Sequence, residues 1–222
     1  MRLRKGGDVM ERFLTVAGAG VDEFTEKRSR FIGAITPVSD EAAAQRFIRE
    51  RAAQYWDAKH NVYAYVLDGG RLCRFSDDGE PQGTAGMPVL DVLRKAGLSD
   101  CAVVVTRYFG GILLGGGGLV RAYSHAAALA VHAAGTVEMR PCRTGSVVCD
   151  YAQYGWVPAV ILTCGGTVGE AVFTDAVTVP FTLPIERQGE FSAALTERSA
   201  GRLTADLTDT VMVPFPVEIN AE

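Results

Sequence analysis

The sequence lacks the features that define several classes of protein. No apolar run approaches the ~20 residues that a membrane-spanning helix requires. The first seven residues are basic, but the apolar segment of a secretory signal does not follow them. The five cysteines include no C-x-x-C pair, which argues against a disulfide framework and against a zinc ribbon. We therefore expect a cytoplasmic protein without membrane contact, and the sequence indicates neither a cofactor nor a bound metal.

Charge is distributed unevenly along the chain. The hydrophobic content of 48% and the charged content of 22% are typical of a globular protein. Residues 1–138 carry 17 Lys and Arg against 16 Asp and Glu, whereas the remainder carries 5 against 10. The acidic second part disfavours non-specific RNA binding, while the cations of the first part can form a local patch. Regular patterning starts at Met10, so we interpret the preceding residues as a flexible extension or an upstream start.

Hydrophobic periodicity predicts an α+β protein with two parts. In the first part it predicts strands at 31–35, 61–67, 71–76 and 102–106, and helices at 41–54, 87–96 and 119–134. In the second part it predicts strands at 144–151, 167–173, 176–183 and 202–213, and helices at 156–164 and 186–200. The β-α-β-β-α-β order of the second part is the ferredoxin-like split motif. Residues 139–142, between the two parts, are too few for a flexible tether.

A glycine-rich loop lies between the apolar strand at 102–106 and the helix at 119–134. It contains Gly110, Gly111 and the four consecutive glycines Gly115, Gly116, Gly117 and Gly118. One interpretation is that bare backbone N–H groups bind an anion at the helix N-terminus, with Arg107 or Arg121 completing the site. The alternative is a tight crossing of two backbone segments. The loop is not a P-loop, because no Lys-Ser or Lys-Thr follows the glycines.

Two further clusters and one histidine each have both a functional and a structural interpretation. The basic turn with Lys27, Arg28 and Arg30 is either a phosphate-contacting arm or a solvated strand edge. The acidic segment with Asp77, Asp78 and Glu80 either binds a divalent ion or shares a proton, or it forms an ordinary turn. His60 is either a general base or a hydrogen-bonded structural residue.

Four motifs occur in order along about half of the chain. They are KRSRFI (27–32), HN (60–61) with AY (64–65), RFSDDGEP (74–81) with GTAG (83–86), and RYFGG (107–111) with LG (114–115) and GGLVRAY (117–123). Together they closely resemble the motifs of the IMPACT family, in particular its bacterial YigZ-like branch. The resemblance implies a left-handed β-α-β, ribosomal-protein-like domain at residues 10–138. It also implies a ferredoxin-like domain at 143–220 that resembles a domain of elongation factor G.

The resemblance implies a role in translation control, since eukaryotic members of the family regulate translation. We therefore expect a regulatory or binding protein that contacts RNA, the ribosome or another anionic partner through its first domain. A protein partner in translation control is a further expectation. The residues expected to bind nucleic acid or another anion are Lys27, Arg28, Arg30, Arg74, Arg107, Tyr108, Phe109, Gly110, Gly111, Gly115, Gly116, Gly117, Gly118 and Arg121.

The alternative is an enzyme that acts on a small phosphorylated or nucleotide ligand. In that interpretation the glycine loop holds the phosphate and the acidic turn holds a metal, with all of these groups converging in one pocket. The catalytic candidates are His60, Asp77, Asp78 and Glu80.

Overall fold

A computed structural model describes residues 11–217, so the expectation for the residues before Met10 lies outside the described part of the chain. Most of the described residues belong to two compact units, residues 13–139 and residues 140–213. None of the helices in this part of the chain has the length and apolar character needed to cross a bilayer. The architecture is a two-domain α+β fold with antiparallel sheets, which confirms the predicted fold class.

The first domain contains one main sheet and three helices. Its strands are β1 (Phe13–Val16), β2 (Gly20–Glu26), β3 (Ser29–Pro37), β4 (His60–Leu67), β5 (Leu72–Ser76) and β6 (Cys101–Tyr108). Its helices are α1 (Glu41–Gln54), α2 (Gly86–Lys95) and α3 (Gly116–Ala134). Strands β2-β3-β6-β4-β5 form an antiparallel sheet in this order, while β1 pairs with residues 136–139.

Helices cover both faces of this sheet. Successive side chains of the central strand β6 point to opposite faces, as the pleat of a strand requires. Val104 shares a core with Ile48 of α1 on one face. Val103 shares a core with Leu90 of α2 and Ala126 of α3 on the other face. A residue of β3, β4 or β6 is therefore assigned to the α1 side or to the α2/α3 side by its register.

The β3-α1-β4 unit is a crossover between parallel strands. Strands β3 and β4 are each antiparallel to β6, which lies between them, and are therefore parallel to each other. Helix α1 begins where the sequence predicts, because the Asp40 carboxylate accepts a hydrogen bond from Ala43 N at 2.8 Å and caps the helix.

The four strands and three helices predicted for this domain are confirmed, although α3 begins at Gly116 rather than at Leu119.

The second domain is a split β-α-β-β-α-β unit. Its strands are β7 (Thr136–Cys149), β8 (Thr167–Val168), β9 (Val172–Phe173), β10 (Val177–Pro184) and β11 (Ala205–Pro216). Its helices are α4 (Tyr151–Tyr154), α5 (Val157–Thr163) and α6 (Gln188–Ser199). The strand order β11-β7-β10-β8 and a core that includes Ile161, Phe181 and Phe191 confirm the predicted ferredoxin-like arrangement.

The structure corrects three local predictions. Strand β7 begins at Thr136, so residues 139–142 continue a strand instead of separating two elements. The strand predicted at 167–173 is interrupted, and its two ends pair separately with β10 as β8 and β9. Strands β1 and β2 were not predicted.

Candidate nucleic-acid interface

The first turn of α3 exposes backbone donors. Gly115 precedes the helix with a φ of +69° and provides no side-chain cap, and the first helical hydrogen bond runs from Leu119 N to Gly115 O at 3.0 Å. Within residues 11–217, the N–H groups of Gly116, Gly117 and Gly118 have no hydrogen-bond acceptor. These donors lie at the positive end of a 19-residue helix.

The glycines of this loop are present for different physical reasons. A Cβ on Gly110 would collide with the backbone of Arg28, which is the tight crossing considered above. Gly115 needs its positive φ, and a Cβ on Gly118 would lie only 3.1 Å from Leu114 Cβ. Close packing thus accounts for Gly110 and Gly118, and backbone conformation accounts for Gly115.

Gly116 and Gly117 have no such reason. Both are helical, and the nearest atoms to an added Cβ would be Thr84 Cγ2 at 3.9 Å and Arg121 Nη1 at 3.8 Å, respectively. Alanine would fit at both positions and would favour the helix by roughly 0.5–1 kcal/mol per residue. Internal packing therefore leaves these two glycines unexplained.

Three exposed cations surround the glycine loop. The backbone of Arg28 passes against Gly110, Arg121 Nη1 lies near Gly117, and Lys59 Nζ lies 5.4 Å from the centroid of the Phe109 ring. None of the three cations forms an ion pair with another described residue. The positive charge around the loop is therefore uncompensated within the described chain.

The basic turn holds its cations at the tip of a hairpin. Glu26 pairs with Ser29, so Lys27 and Arg28 form a two-residue turn between β2 and β3. Their φ angles are +45° and +65°, a left-handed conformation that costs an L-residue about 1–2 kcal/mol. Both side chains are exposed, as the functional and the structural interpretations of this turn each require.

Arg107 lies in a different environment. Its side chain is only 6% exposed, and its Nη1 donates to Glu80 Oε1 at 2.5 Å. The Tyr123 hydroxyl donates to the same oxygen at 2.8 Å, and His60 Nε2 lies 3.8 Å from it. Burial raises the pKa of Tyr123, and the adjacent Glu80 raises that pKa further. The predicted phosphate contact Arg107 is thus enclosed with Glu80 and does not reach the surface.

The acidic segment also uses its carboxylates internally. Asp77 accepts hydrogen bonds from the backbone N–H groups of Gly83, Ala85 and Gly86 at 2.9, 3.1 and 2.7 Å. Asp78 accepts a hydrogen bond from Asn61 N at 2.5 Å. The described residues contain no cluster of three or more His, Cys, Asp or Glu side chains arranged to hold a metal ion. The segment therefore builds the loop before α2, as the structural interpretation of the turn expects.

His60 joins the same loop to β4. Its Nδ1 lies 2.6 Å from the carbonyl oxygen of Asp78, and its side chain is 9% exposed. The four catalytic candidates are thus close together, but their polar atoms are engaged with one another and with the backbone.

Other predicted binding residues lie on the α1 side of the sheet. Arg30 pairs in register with Tyr108, and Arg74 pairs with Tyr65, whose side chain belongs to the α1 core. Arg30 also forms an exposed ion pair with Glu23 at 2.6 Å, and this hydrogen bond raises the pKa of the Arg30 guanidinium. The predicted cations therefore do not meet in one hollow, because register places Arg30 and Arg74 on the face opposite Arg107.

The sequence reasoning missed two residues beside the loop. Lys59 approaches the Phe109 ring, and Trp56 is 82% exposed. The signal that would have found them is the segment Tyr-Trp-Asp-Ala-Lys at 55–59, which places two aromatic residues and a lysine just after the end of α1.

Comparisons with known proteins agree with this architecture. The model of the Impact N-terminal domain matches residues 27–131, and that of a domain of unknown function, DUF1949, matches residues 147–202. The chain is similar to IMPACT family member YvyE of Bacillus subtilis, with 36% identity over 87% of this chain and 90% of the relative. It is also similar to IMPACT family member YigZ of Escherichia coli, with 37% identity over 80% of this chain and 88% of the relative.

A solved structure described as the crystal structure of a hypothetical protein supports the same conclusion. It matches with a TM-score of 0.58 and 34% identity, and the match covers 90% of this chain and 99% of that chain. Three findings agree on the family of this chain. They are the motifs of the first domain, the order of the two domain matches, and the similarity over most of the length of each relative. The chain therefore belongs to the IMPACT family.

Proposed function

We propose that this protein is a cytoplasmic, translation-associated binding protein whose first domain contacts the phosphates of RNA. The contact surface consists of Arg28, Gly116, Gly117 and Arg121, and we call it the glycine-turn surface. The observation that carries the proposal is the exposed first turn of α3, in which two glycines have no packing role and three N–H groups have no acceptor within residues 11–217.

A phosphate group matches the chemistry of this surface. Helix N-termini favour anions, because the free N–H groups and the helix dipole both present positive charge. Arg121 places its guanidinium near Gly117, and the exposed Arg28 side chain extends from a backbone that passes directly against Gly110. Without a Cβ on Gly116 or Gly117, a phosphate oxygen can approach the amide donors closely.

The open form of the surface favours a polymer over a small ligand. Gly116, Gly117, Arg28 and Arg121 are all exposed, and they follow the loop instead of enclosing a cavity. A phosphodiester backbone can contact several such points in succession, and each additional contact releases counterions. The alternative enzyme reading is less well supported, because Glu80, Asp77 and His60 use their polar atoms within the fold.

The role in translation rests on family membership. The IMPACT relatives support a regulatory protein in general terms, and the family resemblance implies translation as the process. We propose ribosomal RNA in a ribosomal subunit as the physiological source of the phosphates.

The test is quantitative binding of structured RNA and of ribosomal subunits across a range of salt concentrations. We expect the double variant Arg28→Ala with Arg121→Ala to bind more weakly and to reduce the slope of log K against log salt by about 1–2. Arg74→Ala is the matched control, since it removes an exposed arginine from the α1 side of the sheet. It should leave the slope unchanged.

Two outcomes would contradict phosphate contact, and a third would replace RNA with a protein as the partner. One is wild-type binding that does not depend on salt, and the other is an equal effect of the control and the double variant. Binding to ribosomal subunits without binding to any free RNA would indicate a protein partner in translation control instead.

A further inference from the structure

A group of exposed apolar side chains lies beside the glycine-turn surface. Trp56 is 82% exposed, Leu113 83%, Phe109 43% and Ile112 40%. Large aromatic side chains are normally well buried, and an exposed group of them marks an interaction site more often than a lone exposed residue does. None of these side chains belongs to the core clusters of the first domain, although the Phe109 ring centroid lies 5.5 Å from the guanidinium carbon of the buried Arg107.

Three contacts join the two segments that carry Trp56 and Phe109. The Tyr108 hydroxyl donates to Asp57 Oδ1 at 2.7 Å, and the rings of Tyr55 and Tyr108 meet edge to face at 6.4 Å. Lys59 Nζ lies 5.4 Å from the Phe109 ring centroid. Trp56 is therefore flanked on both sides by residues that contact Tyr108 or Phe109, which holds the two aromatic positions in one region of the surface.

Two cations, Lys59 and Arg28, and one carboxylate, Asp57, belong to the segments around this region. Lys59 lies over Phe109, and Arg28 lies against Gly110, the residue after Phe109. The nearby carboxylate of Asp57 accepts the Tyr108 hydrogen bond. Exposed aromatic rings interleaved with uncompensated cations match a single-stranded nucleic acid, because its bases stack on the rings while its phosphates meet the cations. An apolar peptide or an uncharged surface would gain nothing from the cations.

We propose that Trp56 and Phe109 form a stacking site for unpaired RNA bases, continuous with the glycine-turn surface. This inference deepens the proposed function and rests on its choice of RNA as the ligand, since it names the class of RNA that the first domain prefers. Duplex RNA keeps its bases stacked inside the helix, so it can engage the cations but not the two rings. Single strands, loops and bulges can engage both.

Fluorescence of Trp56 tests the stacking directly. The sequence contains two tryptophans, and Trp156 lies in the second domain, where Arg198 is 5.0 Å from its ring. A Trp156→Phe protein therefore reports on Trp56 alone. We expect an unstructured oligoadenylate to quench this fluorescence and an RNA duplex of equal length to leave it nearly unchanged.

Affinity measurements separate stacking from phosphate contact. Trp56→Ala with Phe109→Ala should weaken oligoadenylate binding by about tenfold or more, with an unchanged salt slope and unchanged duplex affinity. Trp56→Tyr should retain most of the affinity, because tyrosine still offers a ring face. Phe173→Ala, which removes a 52% exposed aromatic from the second domain, is the matched control and should have no effect.

The outcomes distinguish this inference from the proposed function. If the Arg28 and Arg121 variant loses the salt slope while the aromatic variant binds both RNAs normally, the stacking site is overturned and the phosphate surface stands. If the aromatic variant loses single-strand affinity while the arginine variant binds normally, the phosphate surface is overturned and stacking stands. Loss of ribosomal-subunit binding by the aromatic variant, with oligoadenylate binding intact, would overturn stacking in favour of a protein contact.

Discussion

The loop of residues 77–86 and the first turn of α3 are both rich in polar groups, but they use those groups in opposite ways. In the loop, Asp77 accepts three backbone hydrogen bonds and Glu80 is enclosed with Arg107 and Tyr123. In the first turn of α3, three N–H groups have no acceptor within residues 11–217. The carboxylates that suggest catalysis in the sequence therefore form hydrogen bonds that stabilise the loop. The glycines at the start of α3 instead leave backbone N–H donors without an acceptor in the described chain.

The largest expected effect comes from removing the buried carboxylate. Glu80→Ala leaves Arg107 charged and unpaired in an interior where its side chain is 6% exposed, and it also removes the acceptor of Tyr123. We expect the free energy of unfolding to fall by about 3–5 kcal/mol. Urea denaturation followed by circular dichroism measures this change.

Glu23→Ala is the matched control for this substitution. Its ion pair with Arg30 has a similar length, 2.6 Å, but both side chains are about half exposed. Because solvent screens this pair, the expected loss is below about 1 kcal/mol. Equal losses for the two variants would mean that burial of the Glu80 pair has no energetic consequence.

A smaller effect is expected from the carboxylate that shapes the loop. Asp77→Ala removes the acceptor of Gly83, Ala85 and Gly86, the last of which is the first residue of α2. We expect a loss of about 1–2 kcal/mol in unfolding free energy, comparable with the loss of a helix cap. Asp77→Asn keeps one acceptor oxygen and should lose less; a larger loss for asparagine than for alanine would argue against a capping role.

The last expected effect is of similar size and has the opposite sign. Gly116→Ala with Gly117→Ala should raise the unfolding free energy by roughly 0.5–1 kcal/mol per site, because both positions are helical and uncrowded. The same variant should weaken RNA binding, since a Cβ blocks close approach to the amide donors. Gly115→Ala should instead destabilise the protein, because its φ is +69°. A double variant that is less stable than the wild type would show that these glycines have a packing role after all.

Much of the fold follows from apolar periodicity, and the errors have local causes. The buried strands and long helices were predicted because their side chains repeat with the period of the element. Strand β2 was missed because Asp22, Glu23 and Glu26 are charged, as suits an edge strand. The start of β7 was missed because its first ten residues lack a clear alternation, and all but one of them are only partly buried.

The candidate site was harder to predict than the fold. The glycine loop and its flanking arginines were found from the sequence. The burial of Arg107, however, depends on its ion pair with Glu80, which is 27 residues away in the sequence. Register then decides which face each strand cation occupies, and register across β3, β6 and β4 is not readable from one strand alone. Trp56 was overlooked because the short segment 55–59 follows the end of a helix and has no periodicity of its own.

The hydrogen bond from Tyr123 to Glu80 also limits motion at the start of α3. Tyr123 lies about two turns after Gly116, and Glu80 is itself anchored by Arg107 of β6. Glycine-rich helical ends fray readily. In α3, the hydrogen bond of Tyr123 anchors the helix within two turns of its first residue. Fraying of the amide donors is therefore restricted, and an anion bound as proposed would immobilise few additional degrees of freedom.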